Sequence, residues 1–398
     1  MMNSINITSR GKLLLFWVLF SMMCTYPYIF NRVLPLPNIT ELIGLSFVCF
    51  GLFFKKSSGK IPSFIPALLI TQIVATISAI LVTQDSEYFK QILYLVWCFV
   101  NIRFINIIGV RNFLLIYNRI VLVVALLGAL SFVLSLILGP RILFEYINMD
   151  GRPGAFVYAT FTNTINGNVI RYSGIFDEPG AMAFWGMFAL LTNHLYVKDR
   201  YLEKPLIIAL FFTLSLAYII QIALFFFFYY IAHAKMKTKI YTIIFCFAMV
   251  AAVFLFIDHD SLIYRLTLGR LGLDSDYDLL GDNNRTNMME LAKKMFLSNP
   301  IFGVGPTIFY GGDYAADNPY ETLAKDGLFG TFFIYLPLIV IGKMVKFKKD
   351  IIFGIFILAV GYLQRPFHTN IIHYTMLYLF VYSSYLYFKE EKLCVKYQ

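Results

Sequence analysis

Long apolar runs with almost no charge divide this chain, and they decide what it can fold into. A helix of about 20 apolar residues crosses the hydrocarbon core of a bilayer. Runs of that kind lie near 12–30, 39–54, 61–83, 88–102, 120–139, 178–197, 205–218, 219–234, 240–257, 327–342, 351–364 and 371–388. The seventh and eighth are nearly continuous from Pro205 to Ala234; a tight turn near Ala217-Tyr218 makes them two helices, and one long span is the competing reading. With 59% hydrophobic and only 14% charged residues over 398 positions, too little polar surface remains for a soluble domain. The pattern predicts an all-α polytopic membrane protein, a single integral domain over 1–398 with about twelve transmembrane helices and two large loops, 140–177 and 258–326.

Charge predicts the orientation. Placing the N-terminus inside puts 21 Lys and Arg in the segments on the cytoplasmic side. The other 12 are external, nine of them in the two long loops, which obey the positive-inside rule poorly. Both termini are therefore expected in the cytoplasm, with both large loops outside. The formal charge of +10 resolves into +16 inside and −6 outside, so nucleic acid is not needed as a partner. The inner charges are mostly Lys, whereas eight of the twelve external ones are Arg. Planar, bidentate recognition of phosphate favours Arg, so this bias points to an anionic ligand outside.

Several functions are disfavoured. Cys24, Cys49, Cys98, Cys246 and Cys394 all fall in spans or the inner tail, leaving both large loops without a disulfide framework or a Cys metal site. The first span has Thr25-Tyr26-Pro27-Tyr28 where small residues would mark cleavage, so it is expected to stay attached. Every charged residue can be placed at a helix end or in a loop, unlike the deep charges of ion-coupled transporters. His194 and His233 read as interfacial, and the run from Phe225 to Tyr230 as lipid-facing or interfacial aromatics.

The chemistry is therefore expected in the loops. In 141–177, alternating β-formers flank Asn166-Gly167, a hairpin signal. The loop then enters the sixth span through Arg171-Tyr172-Ser173-Gly174-Ile175-Phe176-Asp177-Glu178-Pro179-Gly180. Pro179 suits a first helical turn, and the acids before it could cap the helix or act as a general base. In 258–326, Asp274 to Asp282 looks like a calcium loop, but Leu279 and Arg285 stand where Gly and Glu are required. A helix is expected from about Thr286 to Leu297, stopped by Asn299-Pro300. A short outer loop carries Arg365, His368 and, one turn on, His373.

Three of these segments, in order, carry a resemblance to the O-antigen polymerase and ligase family. Arg171 to Pro179 resembles the R-x-S-G-x-F-x-E-P pattern of Wzy-type polysaccharide polymerases. Arg285 with Pro300, Phe302, Gly303 and Gly305 is similar to the Arg that opens an external helix followed by P-x-F-G-x-G. Asp317 to Gly330 is similar to H-N-x-x-L-x-x-L-x-E-x-G-x-x-G, with Asn318 matched but Asp317 in place of His. The resemblance covers about half the chain. It implies a polytopic membrane glycosyltransferase, GT-C-like, in the bacterial inner membrane.

Its expected partners are an undecaprenyl-pyrophosphate-linked oligosaccharide donor and acceptor, membrane lipid, and a chain-length regulator protein. No cofactor or metal is required, because arginines would balance the leaving pyrophosphate: Arg171, Arg285, Arg365 and Arg270 are the candidates. Candidate acid–base residues are Glu178, Asp317, His368 and His373, with Asp313 and Glu321 as alternatives; Gly174, Pro179, Gly303, Gly305 and Asn318 are structural. An O-antigen ligase is the nearest rival, modestly disfavoured by the missing His, and a flippase or exporter is the non-enzymatic one. The topology makes a prediction: alkaline phosphatase fused after Lys204 or after Lys237 should be inactive, while fusion near residue 150 should be active. A single span over 205–234 would instead give opposite results at Lys204 and Lys237.

Overall fold

The computed structural model describes residues 8–25, 28–30, 43–44, 46–47, 49–52, 60–147, 153–232, 234–235, 237, 282–311, 318–364 and 370–396, without the side chains of 282–286, 364 and 391–396. The span expected at 240–257 lies outside them. The described chain is mostly helical: α1 (Ser9–Met23), α2 (Phe64–Thr83), α3 (Tyr88–Ile108), α4 (Val110–Leu138), α5 (Pro179–Thr192), α6 (Glu203–Phe211), α7 (Leu216–Phe226), α8 (Asp282–Ser298), α9 (Pro306–Gly311), α10 (Glu321–Met344), α11 (Lys349–Gln364) and α12 (Ile371–Lys396). Four of these, α2, α3, α4 and α10, are long and apolar enough to cross a membrane. This is the architecture of an all-α membrane protein.

Two helices form the centre. Every residue of α5 is buried, as is the start of α12 from Ile371 to Ser384, so both are enclosed by protein on all sides. The outer helices keep an apolar face outward: Ile70, Val74 and Leu81 on α2 and Val123, Leu130 and Ile137 on α4 are all more than half exposed. Such a continuous apolar exterior suits lipid. Polar side chains bind the interior, with Tyr378 donating to Gln72 Oε1 at 2.8 Å, Asn101 to Thr375 at 3.0 Å and Tyr382 to Asn106 at 2.7 Å.

Apart from α8 and α9, which pack at the start of α10, the described helices run alternately between two ends. At the basic end Arg119 pairs with Asp199 at 2.9 Å, Arg111 donates to the Val197 carbonyl, and Lys198 and Lys348 both sit over the Tyr387 ring. The opposite, loop end carries the 84–87 turn, a small β structure and the segments leading into α5 and α10. In the β structure, β1 (Ile142–Ile147), β2 (Pro153–Val157) and β3 (Thr160–Thr162) make an antiparallel sheet, and β4 (Ile165–Asn166) pairs with β5 (Val169–Ile170). Gly167 adopts φ +56° in the turn between β4 and β5, a conformation glycine takes without strain.

Two boundaries differ from the sequence reading. Residues 103–119 are not a loop: α3 runs on to Ile108, and only Gly109, at φ +93°, separates it from α4. At 29 residues, α4 is about 44 Å long, so Arg111 and Arg119 ride on its first turns while still reaching the basic end. The chain from Glu203 to Ile231 is two helices, but the break falls at 212–215 rather than at Ala217-Tyr218. Leu214 there takes φ +49° and Ser215 is extended, whereas Ala217 and Tyr218 have no reason to leave a helix. The two helices are antiparallel: Tyr218 donates to the Ile207 carbonyl near the tip, and Tyr230 bonds to Glu203 at the basic end.

Backbone contact between two glycines shapes the start of α10. Gly327, at φ +63° and ψ −172°, kinks the helix. Residues 300–305 lie against the kink: Val304 and Gly305 N–H donate to the Ala324 and Lys325 carbonyls, and Leu328 and Phe329 N–H donate to the Pro300 and Ile301 carbonyls, all at 2.9–3.0 Å. A Cβ on Gly303 would lie 2.2 Å from the Lys325 carbonyl oxygen, and one on Gly327 would lie 2.3 Å from that of Ile301. Gly303→Ala and Gly327→Ala should each destabilise the protein by more than about 2 kcal/mol, since both strain and backbone overlap result. Gly167→Ala, with open space around it, should cost only about 1 kcal/mol. Thermal unfolding in detergent checks this order.

Candidate functional site

The segment before α5 is not a solvent loop. It runs down along α4, with Ile170 clustered with Phe132, Tyr172 against Gly128, and Gly174 against Val124 and Met182. Backbone bonds hold it: Ser173 N–H to the Phe161 carbonyl at 2.7 Å, and Ile29 N–H to the Ile175 carbonyl at 3.0 Å. Gly174 takes φ +63° here, where a Cβ would meet Val124 at 2.4 Å. Arg171 is buried, and its Nε donates to the Thr213 carbonyl at 3.3 Å, at the tip of the α6–α7 hairpin. The side chain is thus tied to the very break that ends α6.

Asp177 and Glu178 follow, both buried. Glu178 occupies the N-cap of α5 in an extended conformation, and Pro179 takes the first turn as expected. The Glu178 side chain makes no capping hydrogen bond, so capping does not account for a buried carboxylate at this position. Tyr146 of β1 lies beside Asp177, and burial, with that charge nearby, raises its phenol above the usual range.

A second polar group sits at the start of α10. Asn318, Glu321, Thr322, Lys325 and Asp326 are all buried. The Asn318 side chain accepts from Tyr320 N–H at 2.9 Å, fixing the turn into the helix. Tyr310 of α9 donates to Glu321 at 3.0 Å, and Lys325 pairs with Asp326 at 3.7 Å while lying over the Tyr310 ring. Tyr88, opening α3, donates to the Lys325 carbonyl at 3.1 Å. Asp85 completes this layer: its carboxylate accepts from both the backbone N–H and the hydroxyl of Thr307, each at 2.7 Å, and it abuts Gly305.

An aromatic wall runs from α5 to the second group. Phe184 of α5 lies 5.1 Å from Tyr362, whose ring lies 4.5 Å from that of His373 and 6.0 Å from that of Tyr335. Tyr335 in turn lies beside Thr322, Glu321 and Asp326. His373 is therefore not on an aqueous loop but fully buried in the first turn of α12. The two groups lie towards the same end of the helical bundle, and their carboxylates, arginine and phenols, with the His373 imidazole, are of the types able to orient and deprotonate a hydroxyl and to hold an anion.

Of the other candidates, Arg285 lies on α8 with its side chain outside the described atoms, and Arg270, Asp313, Asp317, Arg365 and His368 lie outside the described residues. Among the described residues, no three His, Cys, Asp or Glu side chains gather as a metal would need. Asp85, Lys325 and Asp326 escaped sequence reasoning because acids and a lysine flanking apolar runs read as ordinary loop charges. The one available signal was Lys325-Asp326 directly before Gly327, opposite charges abutting a glycine at a helix start.

The geometry defines a polytopic helical membrane protein with a buried polar site at one end. Residues 205–340 match the family Wzy_C, O-antigen ligase, in keeping with the O-antigen polymerase and ligase superfamily. The matched region runs from α6 through most of α10 and so contains the glycine contact, but it excludes Arg171 to Pro179 and His373. No curated protein and no solved structure matches the chain. Such a domain goes with a membrane glycosyltransferase-like enzyme and lipid-linked polysaccharide substrates.

Asp85 generates a prediction. Removing its carboxylate strips two charge-assisted hydrogen bonds from α9, so Asp85→Ala should cost about 2 kcal/mol or more. Thr307→Ala removes only the hydroxyl bond, because its backbone N–H still donates to Asp85, and should cost about 1 kcal/mol; the double variant should cost little more than Asp85→Ala alone. Additive losses in unfolding measurements on the four proteins would mean the two residues act separately.

Proposed function

We propose that this chain is an O-antigen polymerase of the Wzy type. It moves the growing polysaccharide from undecaprenyl pyrophosphate onto a new lipid-linked repeat unit at the outer face of the inner membrane. The observation that carries this reading is the buried Arg171–Glu178 segment, whose pattern resembles that of the polymerases, placed beside an O-antigen ligase family domain. The basic end then faces the cytoplasm, with both termini, and the loop end faces outward.

In this reading the donor's anomeric carbon–oxygen bond breaks and its electron pair leaves with the pyrophosphate. The acceptor hydroxyl forms the new bond to the anomeric carbon and gives its proton to a base. Glu178 is the first candidate for that base, being a carboxylate at a helix start that does not cap the helix. His373 is the second, reached through the wall of Tyr362 and Tyr335. Arg171 compensates the developing charge on the leaving pyrophosphate, with Arg285, Arg365 and Arg270 as further candidates. No metal is needed in such a scheme, because guanidinium groups serve the leaving group.

A ligase would use a similar donor but transfer the glycan to lipid A-core, and the family description names that activity. The Asp317 that stands in place of the family's His favours the polymerase. Deletion and complementation distinguish them by the surface polysaccharide formed. A polymerase deletion should lose the long-chain ladder and keep single-repeat caps; loss of the single-repeat cap as well would point to a ligase or a flippase. Glu178→Gln should abolish the ladder at an unchanged level of protein in the membrane. A normal ladder from that variant would remove Glu178 from the mechanism.

A further inference from the structure

The basic end holds a second cavity, of about 570 Å³, walled by α5, α6, α7, α11 and α12 and remote from the site described above. α5 and α7 both depart from α-helical winding where they reach it. Residues Asn193–Val197 and Phe227–Ile231 are each a single π-helical turn, and they place His194 and Tyr229 on the cavity wall. Single π turns recur at functional sites because the extra residue redirects side chains. Lys198, just beyond the first of them, is held at φ +59°.

The loop that follows is tightly built. Asn193 is buried and closes it with two bonds, its Nδ2 donating to the Asp199 carbonyl and its Oδ1 accepting from Asp199 N–H, both at 3.0 Å. That loop carries Lys198 and Arg200, both exposed at the cavity mouth. The acids around them are largely committed elsewhere. Asp199 accepts two bonds from Arg119 at 2.9 and 3.2 Å, and Glu203 is bonded by His194 at 3.3 Å and by Tyr230. Burial alone would raise the Glu203 carboxyl, but those bonds and the nearby imidazole outweigh it and hold the group below its usual range.

A second cationic group converges on the same place. The ammonium groups of Lys198 and Lys348 lie 5.2 and 4.4 Å from the centre of the Tyr387 ring, which itself lines the cavity. Two like charges held within one screening length, about 10 Å, are favoured by an anion beside them. We propose that this cavity binds the phosphate of an anionic phospholipid headgroup from the leaflet at the basic end, with Lys198 and Arg200 as its charged contacts. Asp199, Glu203 and Asp350 also line the cavity, but with Arg119 on Asp199 and Lys348 over Tyr387 the basic groups around the mouth number four against these three acids. Basic pockets between membrane helices at that level suit lipid phosphates.

Native mass spectrometry of the detergent-purified full chain tests this with phosphatidylglycerol and phosphatidylethanolamine supplied in equal amounts. The protein should retain phosphatidylglycerol preferentially. Lys198→Gln with Arg200→Gln should weaken that binding about thirtyfold. Lys12→Gln with Lys343→Gln removes the same charge from exposed positions away from the cavity and should stay within about twofold of the starting protein. An unchanged elution volume in gel filtration shows that the variants are folded, and Arg200→Gln alone serves if the double variant is not. Equal losses in the two double variants would reduce the effect to diffuse charge and overturn the pocket. Equal retention of the two lipids would overturn the anionic headgroup. Thermal protection by inorganic phosphate as strong as by phosphatidylglycerol would overturn the lipid as its source.

Discussion

Backbone presses on backbone where residues 300–305 meet residues 324–329, with no room for a side chain at Gly303 or Gly327. Four hydrogen bonds across that contact hold the kink at Gly327 and turn residues 321–326 away from the axis of the membrane helix that follows. The Lys325 carbonyl is thereby presented to two donors at once, Gly305 N–H and the Tyr88 hydroxyl. Gly305 leaves just enough space for Asp85, which then binds Thr307. Segments more than 200 residues apart become one polar surface because two Cβ atoms are missing. A bulkier residue at either glycine would separate the layers that carry Asp326, Glu321 and Tyr310.

The sequence made the helical membrane architecture legible because its cause is local: a run of apolar side chains must be buried in lipid or protein wherever it lies. The start of α10 beyond Gly327 and the start of α5 at Pro179 were equally plain, since glycine and proline act on their own backbone. The boundary between α3 and α4 was not. Arg103, Arg111 and Arg119 read as a loop, but a helix tolerates arginines whose ends reach out to Asp199 or to a carbonyl at Val197. Nor could the break in the α6–α7 hairpin be placed from the sequence, because Thr213, Leu214 and Ser215 are weak breakers and the Thr213 carbonyl has its partner in the distant Arg171.

The candidate site was legible in identity and illegible in depth. Arg171, Glu178, Gly303, Gly305 and Asn318 stand out by pattern, yet pattern says nothing of burial. An acid before a proline reads as a cap, yet the Glu178 side chain makes no capping hydrogen bond. His373 read as a loop residue and is buried against the Tyr362 ring. Asp85 could not have been found at all without the fold, since its partner is Thr307 and no local signal joins them.

Depth also changes what Arg171 can do. An arginine on a mobile aqueous loop would have to be desolvated and oriented by its ligand, which opposes binding. Arg171 is already buried, and its Nε is already committed to the Thr213 carbonyl. Because the guanidinium is planar, fixing one nitrogen against a carbonyl fixes the plane in which the remaining N–H groups point. In the proposed reaction that reorganisation would be completed on folding rather than during the transfer, which is the condition under which a fixed charge stabilises a leaving anion most effectively. The same commitment binds the site to the hairpin, because the accepting Thr213 carbonyl lies in the break between α6 and α7, and a lysine at position 171, lacking a planar fork, could satisfy Thr213 or an anion but could not orient one through the other.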